Sequence, residues 1–143
     1  MFECLILGDS IAVGTQQQVH NCAIIAKGGI NTWQFNRMYV NEDMTAKTAI
    51  ISLGSNDHAH VKTEQELLTM RARILADRVY WILPAGNLKA SNVPIEKIQT
   101  IVYSIAGKYN DRVVAIKGLS LDGIHPTTAG YKQIVRDTLG DPR

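Results

Sequence analysis

Gly8-Asp9-Ser10 near the start of the chain and Asp122-Gly123-Ile124-His125-Pro126 near its end hold a hydroxyl, a carboxylate and an imidazole. Together these groups turn an unreactive alcohol into a nucleophile. The imidazole takes the hydroxyl proton, and the carboxylate fixes the imidazole's tautomer and stabilises its charge. Asp122 and His125 lie three residues apart, so they can hydrogen-bond within one loop and leave Nε2 free for Ser10. Each half also has a plainer reading. Serine is a common helix N-cap, and a turn Asp often caps backbone while a neighbouring His is incidental.

A nucleophile attacking a carbonyl creates an oxyanion, which needs hydrogen-bond donors. The Ser10 N–H is one candidate, since a serine entering a helix has a backbone N–H unpaired within that helix. Gly28-Gly29 is a second, because a glycine N–H can approach a substrate with no Cβ in the way; either glycine could supply it. The Asn56 side-chain amide in Gly54-Ser55-Asn56-Asp57 is a third. The alternatives are a tight αβ turn for the glycines and a local cap or Asx turn for Asn56. His58 and His60, grouped with Asp57, raise the question of a metal, but no third spaced ligand accompanies them and none is expected.

Residues 10 and 125 meet only if the intervening chain places them together. Five short runs rich in Ile, Val and Leu (2–7, 23–26, 48–53, 78–83 and 112–116) read as strands. Their weak alternation fits parallel strands covered on both faces. Helical stripes occupy 64–77, 95–108 and 127–139, with Pro94 and Pro126 suited to the starts of the last two, and 11–20 and 31–40 read as shorter helices. Strand–helix alternation to the end of the chain predicts right-handed crossovers and an α/β fold, a parallel sheet between two helical layers. Ligands bind such sheets beyond the carboxyl ends of the strands. Ser10, Gly28-Gly29, Asn56 and the Asp122–His125 loop each follow a strand, so topology alone sends all four to one rim.

The chain has 143 residues, 45% apolar and 20% charged, with a net charge of +2. One domain spanning 1–143 is expected, with no repeat or linker. Lys and Arg are scattered rather than striped, which argues against nucleic acid. No apolar run is long enough for a membrane span. Met1 leads directly into the first apolar run without a signal peptide, and Cys4 and Cys22 read as reduced, buried thiols, so a cytoplasmic location is expected.

Taken in order, these segments resemble the SGNH hydrolases, also called the GDSL esterase/lipase superfamily. The resemblance runs through Leu7-Gly8-Asp9-Ser10, Gly29 in Lys27-Gly28-Gly29-Ile30, Gly54-Ser55-Asn56-Asp57, and Asp122 to Pro126 with Gly130-Tyr131 beyond. It implies a flavodoxin-like three-layer α/β/α sandwich with a five-stranded parallel sheet. It also implies catalytic Ser10, His125 and Asp122, with an oxyanion hole of Ser10, Gly29 and Asn56. The chain is short for this family, leaving little material for a lid or deep acyl tunnel. Ile30-Asn31 also stands where many relatives carry Asp-Thr, so Gly28 remains the alternative to Gly29.

The expected function is therefore hydrolysis of carboxylic esters through an acyl-enzyme, with no cofactor and no metal. A short-looped cleft favours small acyl groups, such as acetyl esters of carbohydrates, with Trp33, His58 and Leu88 as candidate groove residues. Thioesterase or lysophospholipase activity on longer chains is the alternative within that chemistry. A phosphate- or nucleotide-binding module is the alternative outside it. Here the sequence is unfavourable: five residues separate Gly8 from Gly14, no lysine follows, and Gly-x-Gly-x-x-Gly is absent. Oligomeric state is not readable.

Overall fold

The computed structural model describes residues 1–87 and 91–142. Its elements alternate: β1 (Phe2–Gly8), α1 (Ser10–Gln16), β2 (Cys22–Ala26), α2 (Thr32–Met38), β3 (Thr45–Ser52), α3 (Thr63–Arg73), β4 (Leu75–Ile82), α4 (Ile95–Tyr109), β5 (Arg112–Val114) and α5 (Thr128–Thr138). The strands form one sheet in the order β2-β1-β3-β4-β5, all pairs parallel. This is the flavodoxin-like order, which reverses direction at β1.

Side chains of the central strands are buried in both directions. Leu5, Leu7, Ala49, Ile51, Val79 and Trp81 pack with Phe35, Leu67, Met70, Val102 and Ile105 of α2, α3 and α4. Ile6, Ile50, Tyr80 and Ile82 pack on the other face with Ile11, Ala12 and Ile134 of α1 and α5. Two apolar faces explain why the strand segments read as nearly continuous hydrophobic runs.

Element boundaries depart from the sequence reading where tertiary contacts override periodicity. Most clearly, α3 ends at Arg73 rather than at 77. Ile74 turns to extended backbone (ψ 122°) and Leu75 pairs in register with Thr45, so part of the apparent helical stripe belongs to β4. The bend is pinned by Arg71, which donates to the Ile74 carbonyl at 3.2 Å and to both Asp111 oxygens at 2.7 and 3.0 Å.

Cys4 and Cys22 are not reduced thiols; they form a disulfide. They are register partners on the neighbouring strands β1 and β2, with Cα atoms 4.5 Å apart. Strand register is non-local, so a spacing of 18 residues gave no sign of it. The thiol-based part of the argument for a reducing compartment falls with it. Among the described residues no helix is long and apolar enough to cross a membrane.

Two close approaches seat α5, which follows the His125 loop: one beside α1 and one against the segment after β5. A Cβ on Gly14 would come within 2.3 Å of the Tyr131 ring, so that ring occupies the place of a side chain on α1. At the start of α5, a Cβ on Gly130 would lie 2.2 Å from the Gly118 carbonyl oxygen.

Candidate active site

The nucleophile candidate stands at a strand–helix junction fixed by the residues before it. Gly8 closes β1 at φ +139°, and a Cβ there would lie 1.7 Å from the Ser52 carbonyl oxygen, so only glycine lets β1 meet β3 here. Asp9 then caps α1. Its Oδ1 accepts from the Ile11 N–H at 3.0 Å and the Ser52 hydroxyl at 3.1 Å. Ser10 is the first helical residue rather than the cap, and its hydroxyl is left for other work.

That hydroxyl meets the far end of the chain. Ser10 Oγ lies 2.8 Å from His125 Nε2, and His125 Nδ1 lies 2.7 Å from Asp122 Oδ2. The second Asp122 oxygen accepts from the Ser120 hydroxyl and the N–H groups of Ile124 and His125 at 2.8–2.9 Å. A carboxylate so placed accepts the Nδ1–H, leaving Nε2 as acceptor for the Ser10 proton. The His125 side chain, followed by these backbone and hydroxyl donors, holds the Asp122 carboxyl well below the usual carboxylate range. Asp122 and His125 are 46% and 41% exposed, so the row is open to solvent on that side.

The loops that would supply oxyanion donors are braced against one another. Ile30 N–H donates to the Lys27 carbonyl at 3.3 Å across a turn with Gly29 at φ +78°, the sign a type II turn demands at its third position. Gly28 is the glycine beside Ser10: a Cβ on it would lie 3.8 Å from the Ser10 Cβ, whereas one on Gly29 would meet nothing within 4 Å. Asn56 Nδ2 donates to the Ile30 carbonyl at 3.0 Å, leaving its second amide hydrogen for another acceptor.

Asp57, which the sequence reading grouped with His58 and His60, has a different position. It is fully buried and accepts from Thr32 N–H at 2.9 Å and from the hydroxyls of Thr32 and Thr63, each at 2.7 Å. One carboxylate thus ties α2 and α3 to the loop carrying Asn56. Burial pushes its pKa up, against the pull of these donors. Its oxygens are engaged, and His58 Nδ1 accepts from the His60 N–H at 3.2 Å. Among the described residues no cluster of three or more His, Cys, Asp or Glu is arranged to hold a metal ion. Sequence reasoning missed the brace because Thr32, Asp57 and Thr63 share no local pattern; only the fold joins them.

Of the candidate groove residues, His58 lines a cavity of about 700 Å³ between α3 and α4, whose described lining includes none of Ser10, Asn56 and His125. Trp33 is 51% exposed, with the Arg37 guanidinium 4.6 Å from its ring centre, so one face of the indole is covered. Leu88 lies outside the described residues.

No family model and no curated protein matches the sequence. Solved structures do resemble the fold. A lipase/acylhydrolase from Enterococcus faecalis superposes with a TM-score of 0.72 at 18% identity, over 100% of this chain and 99% of that one. The acetyl xylan esterase Axe2-W215I from Geobacillus stearothermophilus gives 0.63 at 17% identity, over 93% and 90%. AlinE4, an SGNH-hydrolase family esterase, gives 0.53 at 18% identity, over 98% and 94%. The chain has the SGNH-hydrolase fold. In this SGNH sheet the loops after β1, β2, β3 and β5 share one rim, and Ser10, Gly28-Gly29, Asn56 and His125 are the residues they carry there.

Proposed function

We propose that the protein is a serine esterase that works through an acyl-enzyme. The observation that carries this reading is the continuous row Ser10 Oγ, His125 Nε2, His125 Nδ1 and Asp122 Oδ2, with links of 2.8 and 2.7 Å. Ser10 Oγ attacks the ester carbonyl as His125 takes its proton. Asp122 stabilises the resulting imidazolium, and the N–H groups of Ser10 and Gly29 with the Asn56 amide hold the oxyanion; Gly28 is the alternative backbone donor. His125 returns the proton to the leaving alcohol, and water repeats the sequence on the acyl-enzyme. Each donor of such a hole is worth about 3 kcal/mol of transition-state stabilisation.

Short acyl groups, acetyl esters of carbohydrates foremost, fit this site best. The row is exposed, and none of Ser10, Asn56 and His125 belongs to the described lining of the apolar cavity between α3 and α4. The likeness to an acetyl xylan esterase supports the same direction. Incubation with an aryl acetate and, separately, with a phosphonate probe tests the reading. Turnover and covalent labelling at Ser10 are expected, and neither in Ser10→Ala. Absence of both in the unaltered protein rejects it. A series of acyl chain lengths tests the substrate class, with the maximum expected at acetyl or propionyl; a maximum at long chains overturns that part alone.

A further inference from the structure

The Asp122–His125 loop has few ties of its own to the rest of the molecule. Among the described residues, the hydrogen bonds of 119–125 other than Ser10–His125 stay inside the loop: Ser120 N–H to the His125 carbonyl (2.8 Å), Gly123 N–H to the Ser120 carbonyl (3.1 Å), and the set made by Asp122. Leu121 within it is fully exposed. At its two ends the loop is closed by the Leu119–Pro126 bridge and by Thr127 N–H donating to the Gly118 carbonyl at 2.9 Å. These contacts shape the loop but do not set its distance from Ser10.

What bears on its middle is the segment after β4. A Cβ on Gly86 would lie 2.4 Å from the Gly123 carbonyl oxygen, 3.2 Å from its carbonyl carbon and 3.3 Å from Ile124 Cγ1. The contact is backbone on backbone, between Asp122 and His125, and no rotamer change can relieve it. The segment is itself held: Leu83 N–H donates to the Val114 carbonyl at 2.8 Å, and Gln99 Nε2 on α4 donates to the Pro84 carbonyl at 2.8 Å. Beside Gln99, Ile98 fills the space over Gly54, where a Cβ would come within 2.7 Å of Ile98 Cγ2. Gly54 begins the loop that carries Asn56.

We infer that the first turns of α4 are a common strut for both halves of the site, with Gly86 and Gln99 as positioning residues that set the Asp122–His125 pair against Ser10. Ile98 registers the loop bearing Asn56, while Gln99, through Pro84 and Gly86, registers the loop bearing His125. Neither Gly86 nor Gln99 touches the reacting atoms. The role in catalysis rests on the esterase reading; the role in placing His125 does not.

Gly86→Ala forces the two backbones apart by some tenths of an ångström, and misplacement on the order of 1 Å can cost about 100-fold in rate. The expected result is a fall in kcat on an aryl acetate of about tenfold or more with KM within about twofold, at a thermal midpoint close to the unaltered protein. Gln99→Leu, which removes only the anchor, shifts kcat in the same direction by a smaller factor. Gly107→Ala, on an exposed stretch of α4 where a Cβ meets nothing within 4 Å, leaves both constants unchanged. The proton resonance of His125 Nδ1–H reads the geometry without turnover, and it should move or broaden in Gly86→Ala and Gln99→Leu. An unaltered protein without esterase activity whose His125 resonance still responds removes the esterase reading and keeps the strut. Unchanged kcat and an unchanged His125 resonance in both variants overturn the strut. So does loss in Gly86→Ala that only accompanies unfolding, with Gln99→Leu indistinguishable from the unaltered protein.

Discussion

Asp9 accepts the Ile11 N–H at 3.0 Å and thereby takes the capping position that serines often fill, which leaves the Ser10 hydroxyl to His125. The two adjacent residues divide the work: one secures the helix start, the other faces the rim. The division has an electrostatic cost. Asp9 is buried with its Oδ2 unpartnered among the described residues, and burial raises its pKa from 3.8 to about 6.

That raised value predicts a pH-dependent stability with a definite sign. Because the folded-state value lies above the ordinary one, the neutral carboxyl is the form the core prefers. Its contribution is complete below pH 3.8 and is lost as pH rises through about 6. Over the whole window the loss is about 3 kcal/mol, since a tenfold change in proton affinity corresponds to about 1.4 kcal/mol. Asp9→Asn has no such titration. Urea unfolding of both proteins between about pH 4 and about pH 8 should show the variant gaining on the unaltered protein as pH rises. A difference that does not vary with pH contradicts the raised pKa.

The Cys4–Cys22 bond joins the edge strand β2, which leads into Gly28-Gly29, to the neighbouring interior strand β1. The chain-entropy relation gives about 3 kcal/mol for closing a loop of this length. Oxidised protein denatured without reductant should show no thiol toward Ellman's reagent, and two after reduction. Cys22→Ser should lower the free energy of unfolding by a similar amount. Two titratable thiols in the non-reduced denatured protein contradict the pairing.

The sheet and its rim were legible in the sequence because they depend on local pattern. Apolar runs such as 48–53 announce buried strands, and Gly8-Asp9-Ser10 and Asp122 to Pro126 carry their chemistry in consecutive residues. What depended on register or long-range packing was not legible. Cys4 and Cys22 are partners only once β1 and β2 align, and Ile74-Leu75 leave the helical pattern because Thr45 pairs with Leu75. Which of Gly28 and Gly29 lies nearer Ser10 also depends on the fold: a Cβ on Gly28 would come within 3.8 Å of the Ser10 Cβ, and one on Gly29 would meet nothing within 4 Å. Asp57 stood in a recognisable tetrapeptide, yet its partners Thr32 and Thr63 flank it at separations of 25 and 6 residues on other elements.

Asp57 should therefore matter for stability as well as activity. Asp57→Ala strands the Thr32 N–H and two hydroxyls in a buried site, and each unsatisfied group costs about 1–3 kcal/mol. The expected loss is several kcal/mol in unfolding free energy, with esterase activity falling as the Asn56 loop loosens. Asp57→Asn keeps an acceptor but adds two hydrogens facing existing donors, so its loss should be intermediate. A variant as stable as the unaltered protein would show that the brace is not needed.

The Ser10–His125–Asp122 row predicts how activity losses combine. On the esterase reading Ser10→Ala removes the attacking atom and His125→Ala removes its base, so each should abolish most of kcat on an aryl acetate, by about 10⁴-fold or more. Once either is gone the other has nothing to do, so the double variant should lose little beyond the worse single one. Asp122→Asn should lose less, because His125 and Ser10 remain, though the imidazole is no longer held by a charged acceptor. Steady-state kinetics on the four variants measures this directly. Losses that multiply would mean that Ser10 and His125 act independently, which a 2.8 Å contact between Oγ and Nε2 does not allow for a nucleophile and its base.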